Sequence, residues 1–187
     1  MAIVRFISTD LLKQRTPING NVSADILQNY ILKAQDTHIH MILGTNLYNY
    51  LKTQVQANTV IGNYKTLMDD YIIPALIEYS FYEALPFISL KLTNKSIVRG
   101  TSEYSTEADL DDLKYLRSSV RDIAEFYGER CVRYIKENSS LFPQYSTNSG
   151  LDEMQPNKTT YFTGVYIPGS GRSDCSFGLG LGKDLNI

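Results

Sequence analysis

The chain has 187 residues, 43% of them apolar and 20% charged, with a formal net charge of −2 and a pI near 5.7. That length suits one domain plus an appendage and suffices for a sizeable core. The charge balance excludes a general nucleic-acid binder, which needs a basic face, but not a protein that encircles DNA without gripping it. Fourteen tyrosines and no tryptophan point to seams between helices, with protein interfaces as the other reading. Cys131 and Cys175 make no disulfide framework, so reduced thiols are expected. Ala2 to Ile7, a short apolar run broken by Arg5, does not read as a secretory signal. Tyr71 to Leu92, interrupted by Glu78, Glu83 and Lys91, lacks the apolar length of a membrane span.

In chain order, Ile3 to Ile7 reads as extended and leads into a brief helix capped by Ser8 or Thr9. Thr16 to Gly20 makes a turn around Pro17. Ser23 caps the next helix, whose apolar stripe is Ile26, Leu27, Tyr30, Ile31, Ala34, His38, Met41 and Ile42, ending at Gly44 as a left-handed cap. A shorter helix opens at Thr45 or Asn46 and carries Leu47, Tyr48, Leu51 and Val55. From Tyr64 a long helix begins that becomes apolar nearly all round beyond Pro74, as befits the central element of a bundle. Pro74 and Pro86 predict a kink or break near one of them. Thr93 to Ala108 is polar and irregular, and Ile97, Val98 and Gly100 suggest a small hairpin or flap. Asp109 to Glu137 forms the last long helix, with a stripe of Leu110, Leu113, Leu116, Val120, Ile123, Tyr127, Cys131 and Tyr134.

The fold class expected is all-α: an antiparallel bundle of three to four helices, two of them long, with a flap between these two and an extended C-terminal tail. The bundle spans residues 1–145 and the tail 146–187. From Leu141 onward the chain holds seven charged residues and seven of its twelve glycines. Yet Thr160 to Ile167 is strand-like. A segment with aromatic and β-branched anchors but no core of its own is expected to order on a partner. The anchoring residues are Tyr161, Phe162, Val165, Tyr166 and Ile167.

Constellations with chemical potential are sparse. His38 and His40, two apart on a helix, point about 200° from one another and cannot share a metal ion. They read as satisfied or interfacial histidines. Glu78 and Glu83 are about 140° apart around the axis, poor for a shared substrate. Each is expected to meet an arginine of the last helix, with Arg117, Arg121, Arg130 and Arg133 as candidates. Gly178 to Gly182 lacks the lysine and the following helix of a phosphate loop. No enzymatic activity, cofactor or metal is expected. Asp69, Asp70, Asp109, Asp111 and Asp112 read as solvated caps and faces. If copies form a ring, one such group would line the lumen and repel a DNA backbone.

Several segments taken in order carry a likeness: Ile7-Ser-Thr-Asp-Leu-Leu12, Thr16-Pro-Ile-Asn-Gly-Asn-Val22, Ile42-Leu-Gly-Thr-Asn-Leu-Tyr48 and Tyr71-Ile-Ile-Pro-Ala-Leu76. Tyr82-Glu-Ala-Leu-Pro-Phe87, Leu92-Thr-Asn-Lys-Ser-Ile-Val98 and Glu137-Asn-Ser-Ser-Leu-Phe-Pro143 complete it. Over residues 3 to 145 the chain resembles the head–tail connector (adaptor, or head-completion) proteins of tailed bacteriophages, in the branch from crAss-like and other Bacteroidetes phages. The resemblance implies an all-α virion structural protein that forms a homo-oligomeric ring, commonly a dodecamer, below the portal protein in the phage neck. Such a ring joins head to tail, meets further neck or tail ring proteins, and continues the channel through which DNA passes without sequence-specific binding. It implies no catalytic residues and no membrane. The alternative from another class is a cellular scaffolding or regulatory adaptor that binds one protein partner.

Overall fold

The computed structural model describes residues 3–18, 22–92, 97–99, 110–148, 150 and 153–156. The body is helical, as the apolar spacing predicts. Helix α1 (Thr9–Arg15) is capped by Ser8, whose hydroxyl accepts from the Leu11 amide at 3.1 Å. Helix α2 (Ala24–Ala34) runs without interruption into a π-helical turn (Gln35–Ile39) and then α3 (His40–Leu43). Ser23 stands at the N-cap of α2, but its side chain makes no capping bond. The extra residue in the π turn rotates whatever follows it. Met41, read as core, is therefore turned outward, while Ile39, Ile42 and Leu43 are buried. Ile26 is likewise half-exposed.

Gly44 ends α3 with φ +72° and ψ 163°. The positive φ is as expected. The ψ is not left-handed helical but lies in an extended region that essentially only glycine adopts. This corner lets α4 (Thr45–Gln56) start at once.

α5 (Gly62–Thr66), a second π turn (Leu67–Ile72) and α6 (Ile73–Ser89) are continuous. The helix runs through both prolines without a break. Pro74 falls just past the wide π turn, where the backbone ladder is already being re-paired, and Pro86 lies inside α6. A small antiparallel hairpin, β1 (Leu90–Leu92) with β2 (Ile97–Arg99), follows α6, with Lys91 opposite Val98. The rest of the expected flap lies outside the described residues. Helix α7 (Leu110–Glu137) closes the body, followed by 3-10 turns at Ser139–Leu141 and Pro143–Tyr145.

α6 is the central helix, packed against both α7 and α2. Its partners fix the directions. Tyr71 stacks on Tyr134 at 3.9 Å between ring centroids, while Tyr82 lies under the Arg117 guanidinium at 4.6 Å. On the other side Tyr79 stacks on His38 and Phe87 on Tyr30. Rising numbers along α6 and the π turn before it thus meet falling numbers along α7 and along α2 with its own π turn, which is antiparallel packing. Leu27, Ile31, Leu76, Ala84, Ala124 and Ile135 are among the fully buried side chains between them.

The N-terminal segment is tied to this body through one buried glutamine. Gln35 accepts from the Phe6 amide at 2.9 Å and donates to the Val4 carbonyl and to the Tyr48 hydroxyl, each at 3.0 Å. Tyr48 in turn donates to Asp36 at 2.6 Å. Every polar atom of the Gln35 amide that enters the core is thereby partnered, as burial demands.

The residues after Tyr145 return to the body instead of leaving it. Asn148 is buried and its Oδ1 accepts from the Asn46 amide at 2.8 Å. The Met154 carbonyl accepts from the Thr45 amide at 3.0 Å, and the Thr45 hydroxyl accepts from the Met154 amide at 2.8 Å. The described residues among 146–156 (146–148, 150 and 153–156) therefore form a strap across the N-terminus of α4. It follows directly on the boundary at 145 read from composition.

Candidate interaction surface

Two exposed features could meet a partner, and both involve the outer flank of α7. The first is an apolar stripe. Tyr115 is 79% exposed, Phe126 63%, and Leu116 and Ile123 45% each. At about 100° per residue these four lie within an arc of about 100° on the helix. The sequence places Leu116 and Ile123 in the core stripe. In the fold they sit on its edge and face outward, because Val120, Ala124, Cys131 and Ile135 hold the buried side.

The second feature is a groove of about 630 Å³ between α1 and α7, lying over α6. Its apolar lining comes from Ile73, Pro74 and Ile77 together with Leu11 of α1. Tyr127 and Arg130 of α7 form one wall and Arg15 belongs to the other. Asp69, Asp70 and Glu78 add three carboxylates against the two guanidiniums. Arg130 is already engaged over the Tyr71 ring at 4.9 Å. Glu78 makes no hydrogen bond or ion pair among the described residues, and burial raises its carboxyl above the ordinary range. Ile123, Tyr127 and Arg130 follow one another at helical spacing, so the stripe and the groove are one continuous surface. From Leu116 to Arg130 it is about 21 Å long.

Glu83 meets partners other than the arginine expected, and Glu78 meets none among the described residues. Glu83 is bonded by Lys33 at 2.6 Å and His38 at 3.1 Å, both on the α2 side of α6. The arginines of α7 instead cover tyrosines (Arg117 on Tyr82, Arg130 on Tyr71) or pair locally, as Arg121 does with Asp122 and Glu125. The reason is rotational. Position 83 faces α2, and no arginine of α7 reaches around α6 to it.

Burial alone would raise the Glu83 carboxyl, but the hydrogen bonds from Lys33 and His38 outweigh it and hold the group below its usual value. The stabilisation is present above the unfolded carboxylate pKa and is lost as pH falls through the depressed folded value. Glu83→Gln is expected to cost about 1–2 kcal/mol at pH 7. The deficit should shrink toward zero in urea titrations repeated below pH 4 or so.

The histidines sit apart from each other, as their spacing requires. His38 stacks on Tyr79 at 4.2 Å, and His40 stacks on Tyr48 at 4.5 Å and bonds the Thr45 hydroxyl at 3.1 Å. Burial lowers the pKa of His40 and pushes the Cys131 thiol up to about 12, an inert, core-packed state. The strand-like anchors Tyr161, Phe162, Val165, Tyr166 and Ile167, together with Cys175 and Gly178 to Gly182, lie outside the described residues.

A family of unknown function, DUF6712, matches residues 39–154, more than half of the chain. The chain belongs to that family. The matched stretch opens at the end of the first π turn and closes at Met154, whose backbone pairs with Thr45. The DUF6712 unit in this chain thus takes in α4, α6, α7 and the strap but not α1. No curated protein and no solved structure matches the chain.

Proposed function

We propose that this protein is a structural subunit of a phage neck: a helical adaptor that assembles into a ring below the portal protein. It joins head to tail and continues the DNA channel. In this reading residues 1–145, with the strap that follows, form an antiparallel bundle that makes the ring contacts. The segment beyond the strap docks on partners through Tyr161, Phe162, Val165, Tyr166 and Ile167. One observation carries the proposal. The longest helix presents Tyr115, Leu116, Ile123 and Phe126 to solvent on one face of an otherwise well-filled body, and surfaces with this aromatic and aliphatic content mark protein interfaces. The order of motifs that resembles head–tail connectors supplies the kind of assembly.

Negative-stain images and native mass spectra of the purified full-length chain test it. Rings with a central pore are the expected result. Phe126→Glu should leave stability within about 0.5 kcal/mol, because the ring is mostly exposed, and should return the assembly to monomers. A chain that stays monomeric when mixed with its portal, or that forms a one-to-one complex with a host protein, would replace the neck reading with the cellular-adaptor one.

A further inference from the structure

Glu78 stands out in the groove between α1 and α7. It is half-buried, has no partner among the described residues, and lies on the apolar lining formed by Ile73, Pro74 and Ile77. Neither guanidinium in the same groove is bonded to it, Arg130 lying over the Tyr71 ring, and burial raises its carboxyl. A carboxylate taken part-way out of water without compensation costs the isolated chain stability. It becomes favourable only when a cation with an apolar stem covers it. The groove also carries one carboxylate in excess of its guanidiniums and runs on into the exposed apolar stripe of α7. Its complement is an extended segment that bears one cation followed by aromatic and β-branched side chains.

One segment of this chain has that composition. Lys158 stands four residues before Phe162 and eight before Tyr166. Phe162 and Tyr166 share one side of the strand-like run Thr160 to Ile167, and an extended backbone continued two residues before it puts Lys158 on that side too. Resting on the assembly reading above, we propose that the α1–α7 groove seats the C-terminal segment of a neighbouring copy, with its Lys158 against Glu78 and its aromatic side chains along Ile123 and Leu116. Each subunit of the ring then receives a neighbour's tail on the flank of α7 and gives its own to the next, a head-to-tail arrangement of the kind that closes into rings.

The test uses full-length protein, half of it isotopically heavy, assembled and treated with a zero-length carboxyl-to-amine cross-linker. Links between Lys158 and Glu78, Asp69 or Asp70 that join light to heavy chains are the expected result. Links confined to single chains would overturn the proposal, as would rings that form without any such link; in that second case the neck reading survives. A chain that forms no rings at all removes both. Charge exchange separates docking from folding. Glu78→Gln and Lys158→Glu should each weaken assembly about tenfold, and Lys158→Arg should not. Glu78→Lys combined with Lys158→Glu should restore the wild-type dilution midpoint. Glu78→Gln should also melt no lower than wild type as a monomer at pH 7, since it relieves an uncompensated charge, whereas a residue held only for folding would lose stability. Failure of the exchanged pair to recover assembly overturns the pairing.

Discussion

Truncating Phe142 to alanine is expected to lower global stability by about 3–5 kcal/mol, the range for removing a fully buried aromatic side chain. Phe142 has no solvent exposure and lies between the 3-10 turns Ser139–Leu141 and Pro143–Tyr145. Its ring meets Tyr64 edge-on at 5.4 Å and Tyr134 at 6.0 Å. Tyr134 is itself stacked on Tyr71, and the Tyr64 hydroxyl donates to Gln144 at 2.6 Å. The rings at positions 71, 134, 142 and 64 thus form one ladder that joins α6 and α7 to the chain that follows α7. The backbone on both sides of Phe142 is held by turns, so the void left by alanine has little room to close. Urea unfolding followed by circular dichroism would show the loss. Phe142→Leu should cost about 1–1.5 kcal/mol, as a volume-reduced but still apolar replacement. An alanine variant that lost less than about 1 kcal/mol would mean that the ladder is not part of the cooperative core.

The helices were legible because their signals are local. Apolar residues at 3–4 spacing gave α2, α4, α6 and α7, and Ser8 and Gly44 marked ends that the fold uses. Three other features have no local signal. A π turn adds one residue to an otherwise unchanged pattern, so Gln35–Ile39 and Leu67–Ile72 read as ordinary helix, and the spacing puts residues beyond the first, such as Met41, on the wrong face. Spacing also cannot tell which side of a central helix looks at which neighbour. Hence the sequence pairs Glu83 with α7, whereas its cations, Lys33 and His38, lie on the α2 side. Leu116 and Ile123 fit the core stripe by number, and only the packing of Val120 and Ala124 shows that the stripe is wider than the core it meets. That surplus is the candidate interaction surface. It was in the sequence all along, written in the same apolar letters as the core.

The strap was the least legible element, and its removal should have the second large effect. Cutting the chain after Tyr145 is expected to cost about 2–3 kcal/mol, whereas cutting after Pro156 should change stability by less than about 0.5 kcal/mol. Helix α4 begins directly after Gly44, which has no side chain to cap it. Its first amides, Thr45 and Asn46, are satisfied by the Met154 carbonyl and the Asn148 side chain, contributed from about a hundred residues further on. Glu153 adds an acceptor for the Asn46 side chain at 3.2 Å and for the Gly150 amide at 3.0 Å. Nothing in the composition of residues 146–156 announces this, because capping by a distant segment leaves no periodicity.

Gly44→Ala is the point-mutant version of the same experiment. A Cβ at that position would lie 2.9 Å from both Pro156 Cδ and Asn148 Nδ2, on a backbone with φ +72°. Strain and displacement together should cost about 2–3 kcal/mol. Thermal melts of the two truncations at pH 7 decide the matter, and hydrogen exchange localises it. The Thr45 and Asn46 amides should exchange faster in Gly44→Ala and in the Tyr145 truncation, and at the wild-type rate in the Pro156 truncation. Equal melting temperatures for the two truncations would mean that α4 holds its own first turn. The base of the tail would then lie at 145, eleven residues before the end of the strap.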